Sequence, residues 1–221
     1  MGFVSWYDII AEKDSSLVRI LRDAGAVFYC KTTMPQTGMM LETRSELWGV
    51  TNNPFNSALS AGGSSGGDGV MLAMRASPIA PSSDIGGSIR APAAFNGLYS
   101  IKPSADRIPK GGLRSAAPGN ISIRVSCGPV CHSVEDLNTF TKVINAYGTP
   151  SQWEPFMVPL PWRKVDVPET KQSYAIWEFD GVVMPHPPIL RALRETARKL
   201  RAEGHEGTVS DLQTQFEQTL M

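Results

Sequence analysis

Two serines set among glycines are the residues of this chain best suited to chemistry. Gly62-Gly63-Ser64-Ser65-Gly66-Gly67 is followed, after an apolar stretch, by Asp84-Ile85-Gly86-Gly87-Ser88-Ile89-Arg90, so Ser64 and Ser88 stand 24 positions apart. Glycine removes the side-chain bulk that would hold a carbonyl substrate away from the backbone, and such loops can aim several N–H groups at one oxygen. Acyl transfer needs that arrangement, because its tetrahedral intermediate concentrates negative charge on the former carbonyl oxygen. A lone Gly-Gly-Ser-Ser-Gly-Gly run would equally suit a flexible linker. A linker is not normally followed by an apolar helix and a second Gly-Gly-Ser bracketed by Asp84 and Arg90. The pair therefore points to a site.

The elements around the loops read as layered α/β packing. Asp14-Ser15-Ser16 caps a helix with apolar Leu17, Val18, Ile20 and Leu21, which ends at Gly25. Ala26-Val27-Phe28-Tyr29-Cys30 is short, apolar and β-prone, which predicts a buried strand. Residues 34–62 read as irregular, and Gly66–Met74 as a buried helix whose N-terminus sits at Ser64-Ser65. Pro78 ends that helix and Ile79-Ala80 begins a strand. Ser133, with Asp136 three residues on, opens another helix. Residues 148–170, rich in proline, read as a wrapping connection. Tyr174–Trp177 is a candidate strand, Pro187-Pro188 launches a long helix ending at Gly204, and the sequence after Glu206 forms no recognisable element.

Composition narrows the partners. The 221 residues carry 21 Lys plus Arg against 21 Asp plus Glu, and the basic residues are dispersed, so no nucleic-acid partner is indicated. Cys30, Cys127 and Cys131 are an odd set that suits a reducing compartment, with the cytoplasm as the default. Cys127, Cys131 and His132 lack a fourth ligand nearby, so no metal site is read there. No apolar run is long enough to span a membrane, and Met1–Trp6 has neither the signal-peptide nor the myristoylation pattern.

The segment from Gly62 to Pro103 resembles the amidase signature family, which hydrolyses carboxylic amides with a serine–serine–lysine triad. Its flanks extend the likeness: Ala24-Gly25-Ala26-Val27, Lys31-Thr32, Asn53-Pro54, Asn96-Gly97-Leu98-Tyr99, Lys102-Pro103, Gly128-Pro129 and Ser133–Leu137. Asp180-Gly181-Val182-Val183 and Pro185-His186-Pro187-Pro188 resemble the fungal acetamidase-like branch. The resemblance implies an α/β fold, a mixed twisted sheet layered with helices, with a partial amidase domain over 1–206 and a divergent tail over 207–221. It implies Ser88 as nucleophile, and Ser64 as the bridging serine, held in that family by a cis peptide bond. The N–H groups of Ile85, Gly86, Gly87 and Ser88 would form the oxyanion hole, with Ser65, Asp84 and Arg90 as loop support. The implied substrate is a small-molecule amide, with no cofactor or metal.

The same resemblance places the family's catalytic lysine before Met1, outside this chain. Lys31 matches a different family segment, Lys13 precedes a helix cap, and Lys102 belongs to a structural Lys-Pro turn. Ser82-Ser83 stand where Gly-Thr is usual, Asp68 where Glu is usual, and Thr33 where Asn is usual. The expectation is a fragment with amidase-family function and little activity alone. The alternative is a catalytically silent binding relative or a truncated product.

Overall fold

Ser15 caps the first helix, accepting the Val18 N–H at 3.4 Å, and α1 runs over Ser16–Asp23. A computed structural model describes residues 1–147, 154, 155, 157, 160–166 and 170–209. After α1 the chain turns at Gly25, whose φ of +94° suits the end of a helix. The short pair β1 (Arg44–Ser45) and β2 (Gly49–Val50) follows within the segment read as irregular. Then come α2 (Gly66–Ala73), β3 (Ile79–Asp84), α3 (Arg90–Phe95), β4 (Tyr99–Ser100), β5 (Ser126–Cys131) and α4 (Val134–Ala146).

Three antiparallel strands in the order β3-β5-β4 form the sheet that positions the serine loops. Side chains alternate across a strand, and the two faces are covered by different helices. Leu17, Ile20 and Leu21 of α1 and Phe140 and Ile144 of α4 pack with Ile79 and Cys127. Leu72 of α2 and Ala93 of α3 pack with Ala80, Val130 and Ile89. Helix, sheet and helix thus make three layers, and all six residues of β5 are buried. Pro81 faces Pro129 across the ladder, a pair that, lacking N–H on either side, exchanges no backbone bond. The layered α/β architecture is the expected one.

Residues 1–163 and 164–221 form two compact units. In the second, β6 (Ser173–Ile176), α5 (Pro187–Ala202) and β7 (Glu206–Val209) make a β-α-β unit with parallel strands. Pro187 and Pro188 start α5, where their missing N–H groups cost nothing.

Two expectations need correction. Ala26–Cys30 forms no strand: the segment pairs with no neighbour among the described residues, and Val27 is 86% and Tyr29 61% exposed. A β-prone sequence becomes a strand only where a ladder receives its N–H and C=O groups. Conversely, β7 runs across position 206, where no element was expected, because β6 offers an edge to pair with. Residues 210–221 of the expected tail lie outside the described residues, as do 148–153, 156, 158, 159 and 167–169 of the expected wrapping connection. Among the described residues no helix is long and apolar enough to cross a membrane.

Candidate active site

The first serine loop is held by close backbone packing that only glycine permits. A Cβ on Gly63 would lie 2.5 Å from the Met40 carbonyl oxygen and 2.8 Å from the Glu42 nitrogen. One on Gly67 would lie 2.5 Å from the Thr33 nitrogen. Thr43, 1% exposed, staples the loop: its hydroxyl donates to the Gly62 carbonyl at 2.9 Å and accepts from the Gly66 N–H at 3.0 Å. The Gly63–Ser64 peptide bond is cis, as the resemblance implied for this position. Asn96, also 1% exposed, donates to the Ala61 and Pro92 carbonyls at 2.8 Å and so ties α3 to the approach of this loop.

The second loop is wound around one carboxylate. Asp84, the last residue of β3, accepts from the N–H groups of Gly87 (2.8 Å), Ile89 (3.0 Å) and Arg90 (3.4 Å). The Arg90 guanidinium adds Nε and Nη2 bonds, each 3.1 Å. Burial by itself pushes the Asp84 carboxyl up. The Arg90 guanidinium and the three amides outweigh it and hold the acid below its ordinary value. Asp84 and Arg90 thus hold the loop together.

The Ser65 N–H donates to the Ser88 carbonyl at 3.2 Å, which ties the two loops directly together. Ser65 supports the site through its backbone; its hydroxyl does not cap α2. Ser64 and Ser88 are 2% and 6% exposed, yet among the described residues neither hydroxyl has a hydrogen-bond partner. The N–H groups of Ile85, Gly86 and Ser88 likewise have no partner among the described residues. Gly87 departs from the expected donor set, because its N–H is already given to Asp84. Two unpartnered hydroxyls on buried serines, their oxygens still open to solvent, together with three open N–H groups of the second loop can receive an oxygen-rich ligand.

Among the described residues no lysine donates to either hydroxyl. Lys31 is exposed and lines a groove of 450 Å³ with Thr32, Thr33, Gly67 and Met71. Lys13 is exposed and Lys102 half-buried. The described residues contain no cluster able to hold a metal ion. Cys127 and Cys131 are buried, and that burial pushes both thiols up to about 11.

Sequence reasoning gave no role to Thr43, Asn96 or Asp68. Asp68, in the first turn of α2, accepts from Thr32 Oγ1 and Ser82 Oγ, both at 2.6 Å. Burial raises its pKa above the ordinary value, and the two hydroxyls pull it back only partly. A raised folded-state value means stability is fullest below the ordinary carboxylate range and is lost as pH climbs through that range to the folded value. Asp68→Asn should therefore match the natural chain in acid and melt higher at neutral and alkaline pH, as read by thermal denaturation across pH.

The sequence matches the Amidase family over residues 1–217. The chain belongs to the amidase family. It is 60% identical to an amidase of Gibberella zeae over 93% of this chain and 37% of that protein. It is 43% identical to the acetamidase of Aspergillus oryzae, covering 93% of this chain and 39% of the relative. The solved structure of a fatty acid amide hydrolase aligns with a TM-score of 0.91 at 39% identity, over 95% of this chain and 37% of that one. A 6-aminohexanoate cyclic dimer hydrolase aligns with a TM-score of 0.79 at 31% identity, over 90% and 42%. This amidase-family chain thus spans about two-fifths of the length of these relatives.

Proposed function

We propose that Ser64 and Ser88 are the reacting hydroxyls of an amide hydrolase, with Ser88 as nucleophile. The Ser88 oxygen attacks the amide carbon and its proton passes to Ser64 Oγ, which hands its own proton to a base. The carbonyl oxygen becomes an oxyanion facing the N–H groups of Ile85, Gly86 and Ser88, each well-placed donor worth about 3–4 kcal/mol. When the intermediate collapses, the C–N bond breaks, the relay returns the proton to the leaving amine, and water then cleaves the acyl ester on Ser88. The base is the family's lysine, which this reading places outside the 221 residues. A small carboxylic amide such as acetamide is the proposed substrate class, following the names of the fungal relatives.

The single observation that carries the reading is the joined pair of loops, with serine hydroxyls and open N–H groups that no described residue uses. Treating the chain with a fluorophosphonate at alkaline pH, where solvent base can replace the lysine, should modify Ser88 alone, and Ser88→Ala should abolish the adduct. Modification mapped to another serine would overturn the assignment. Acetamide turnover by the 221 residues alone should stay near background; fast turnover lost on Ser88→Ala would show that the base lies within them. The lack of any lysine on Ser64 among the described residues also favours a second reading, a binding protein that holds small amides without cleaving them. That reading expects amide binding to survive Ser88→Ala.

A further inference from the structure

The carboxylate of Asp68 touches neither serine, yet it joins the elements that carry both. Its Oδ1 accepts from Thr32, in the irregular segment ahead of the loops, and its Oδ2 from Ser82, on β3. Asp68 stands four residues after Ser64, one turn into the helix that the first loop opens. Ser82, 7% exposed, stands two residues before Asp84, the carboxylate on which the Ser88 loop is wound. The loops are therefore joined at two levels: Ser65 N–H to the Ser88 carbonyl at the top, and Asp68 to Ser82 one helical turn below. One contact fixes a separation; two at different heights also fix the tilt of α2 against β3. Thr32 completes the clamp on the far side, where Gly67 packs on Thr33 and donates its N–H to the Thr33 carbonyl at 3.3 Å. Both Asp68 bonds, at 2.6 Å, have the length of strong hydroxyl–carboxyl bonds.

We infer that Asp68 is a positioning residue, which sets Ser64 against Ser88 by clamping α2 to β3 through Ser82. The inference rests on the reading of those serines as the reacting pair. A carboxyl that served only to fill its site would influence general stability and nothing specific at the loops. A clamp has a sharper signature, because Asn at 68 can still accept from one hydroxyl through its carbonyl and donate to the other through its amide.

The test compares Asp68→Ala, Asp68→Asn and Ser82→Ala in the full 221-residue chain. Two readouts are taken: the rate of fluorophosphonate modification of Ser88, and amide hydrogen exchange in peptides covering 62–67 and 85–90. Asp68→Ala should slow modification roughly 10- to 100-fold, the scale expected from a small misplacement of reacting atoms. It should also speed exchange in both loops, leaving β5 and α4 protected. Asp68→Asn should restore modification to within about threefold of the natural rate, since it keeps both bonds. Ser82→Ala should fall between the two. The inference is overturned if Asp68→Ala changes neither modification nor loop exchange. It is equally overturned if Asp68→Ala and Asp68→Asn are alike and exchange rises evenly through residues 1–147. If the natural chain takes up no fluorophosphonate, the hydrolase reading fails, and loop exchange alone still decides whether Asp68 is the clamp.

Discussion

Replacing Asp84 by alanine should lower the melting temperature by about 10 °C, and it should disorder the Ser88 loop first. The carboxylate has no exposed surface, and it collects three backbone N–H groups and the Arg90 guanidinium. Removing it leaves one buried and two partly buried amides without their acceptor, a loss of about 3–5 kcal/mol when each bond to a charged group is worth about 1.5–3 kcal/mol. For a chain of this size each kcal/mol is worth about 2–4 °C. Asp84→Asn should be nearly as damaging despite its shape. Its amide nitrogen would meet N–H donors where an acceptor is needed, and the charge facing Arg90 would be gone. Arg90→Ala is the control. That side chain is 55% exposed, so its share of the pair is screened by water, and the loss should stay within about 1 kcal/mol. Calorimetry of the three variants checks the order.

The pH dependence of the same site follows from its sign. Asp84 is more acidic in the folded chain than in the unfolded one, so its contribution is complete above the ordinary carboxylate range. It is lost as pH falls through that range toward the folded value. The natural chain should therefore lose stability in acid more steeply than Asp84→Ala does. Asp68 runs the opposite way, which allows the two buried carboxyls to be separated by pH alone.

The parts of the fold legible in the sequence are those governed by neighbours a few residues away. Ser15 and Ser133 cap their helices three residues downstream, and Pro187 and Gly25 mark a helix start and a helix end through fixed local geometry. The Asp84–Arg90 loop is local too, its bonds reaching three to six residues along the chain, and loop support there was what the family resemblance implied. What was not legible depends on distant partners. Thr43 reaches Gly62 and Gly66 from 19 and 23 positions away, and Thr32 reaches Asp68 from 36. Neither threonine sits in a pattern that announces its partner. Ala26–Cys30 shows the limit from the other side. Its residues favour a strand, but a strand is a property of two segments, and no described segment pairs with it. The Gly87 amide differs for a related reason: a donor set carried over by resemblance does not show which amides of the loop are already engaged.

Glycine by glycine, the site should separate residues the fold needs from residues the chemistry needs. Gly63→Ala should destabilise by about 1–3 kcal/mol or more, the range for overpacking. The three nearest atoms the new methyl would meet belong to the Met40–Glu42 backbone, and backbone cannot swing aside as a flexible side chain would. Gly86→Ala should behave differently. A Cβ there meets nothing within 4 Å, and its φ lies outside the left-handed range, so the melting point should move by no more than the equivalent of about 0.5 kcal/mol. The space that methyl enters lies beside the open Gly86 N–H, two residues before Ser88. If a substrate carbonyl docks there, Gly86→Ala should slow fluorophosphonate modification of Ser88 by about 10- to 100-fold in a chain that folds normally. Equal modification rates for Gly86→Ala and the natural chain would mean that this glycine faces solvent and the carbonyl binds elsewhere. The two variants together separate a loop that is merely tight from one kept bare for a ligand.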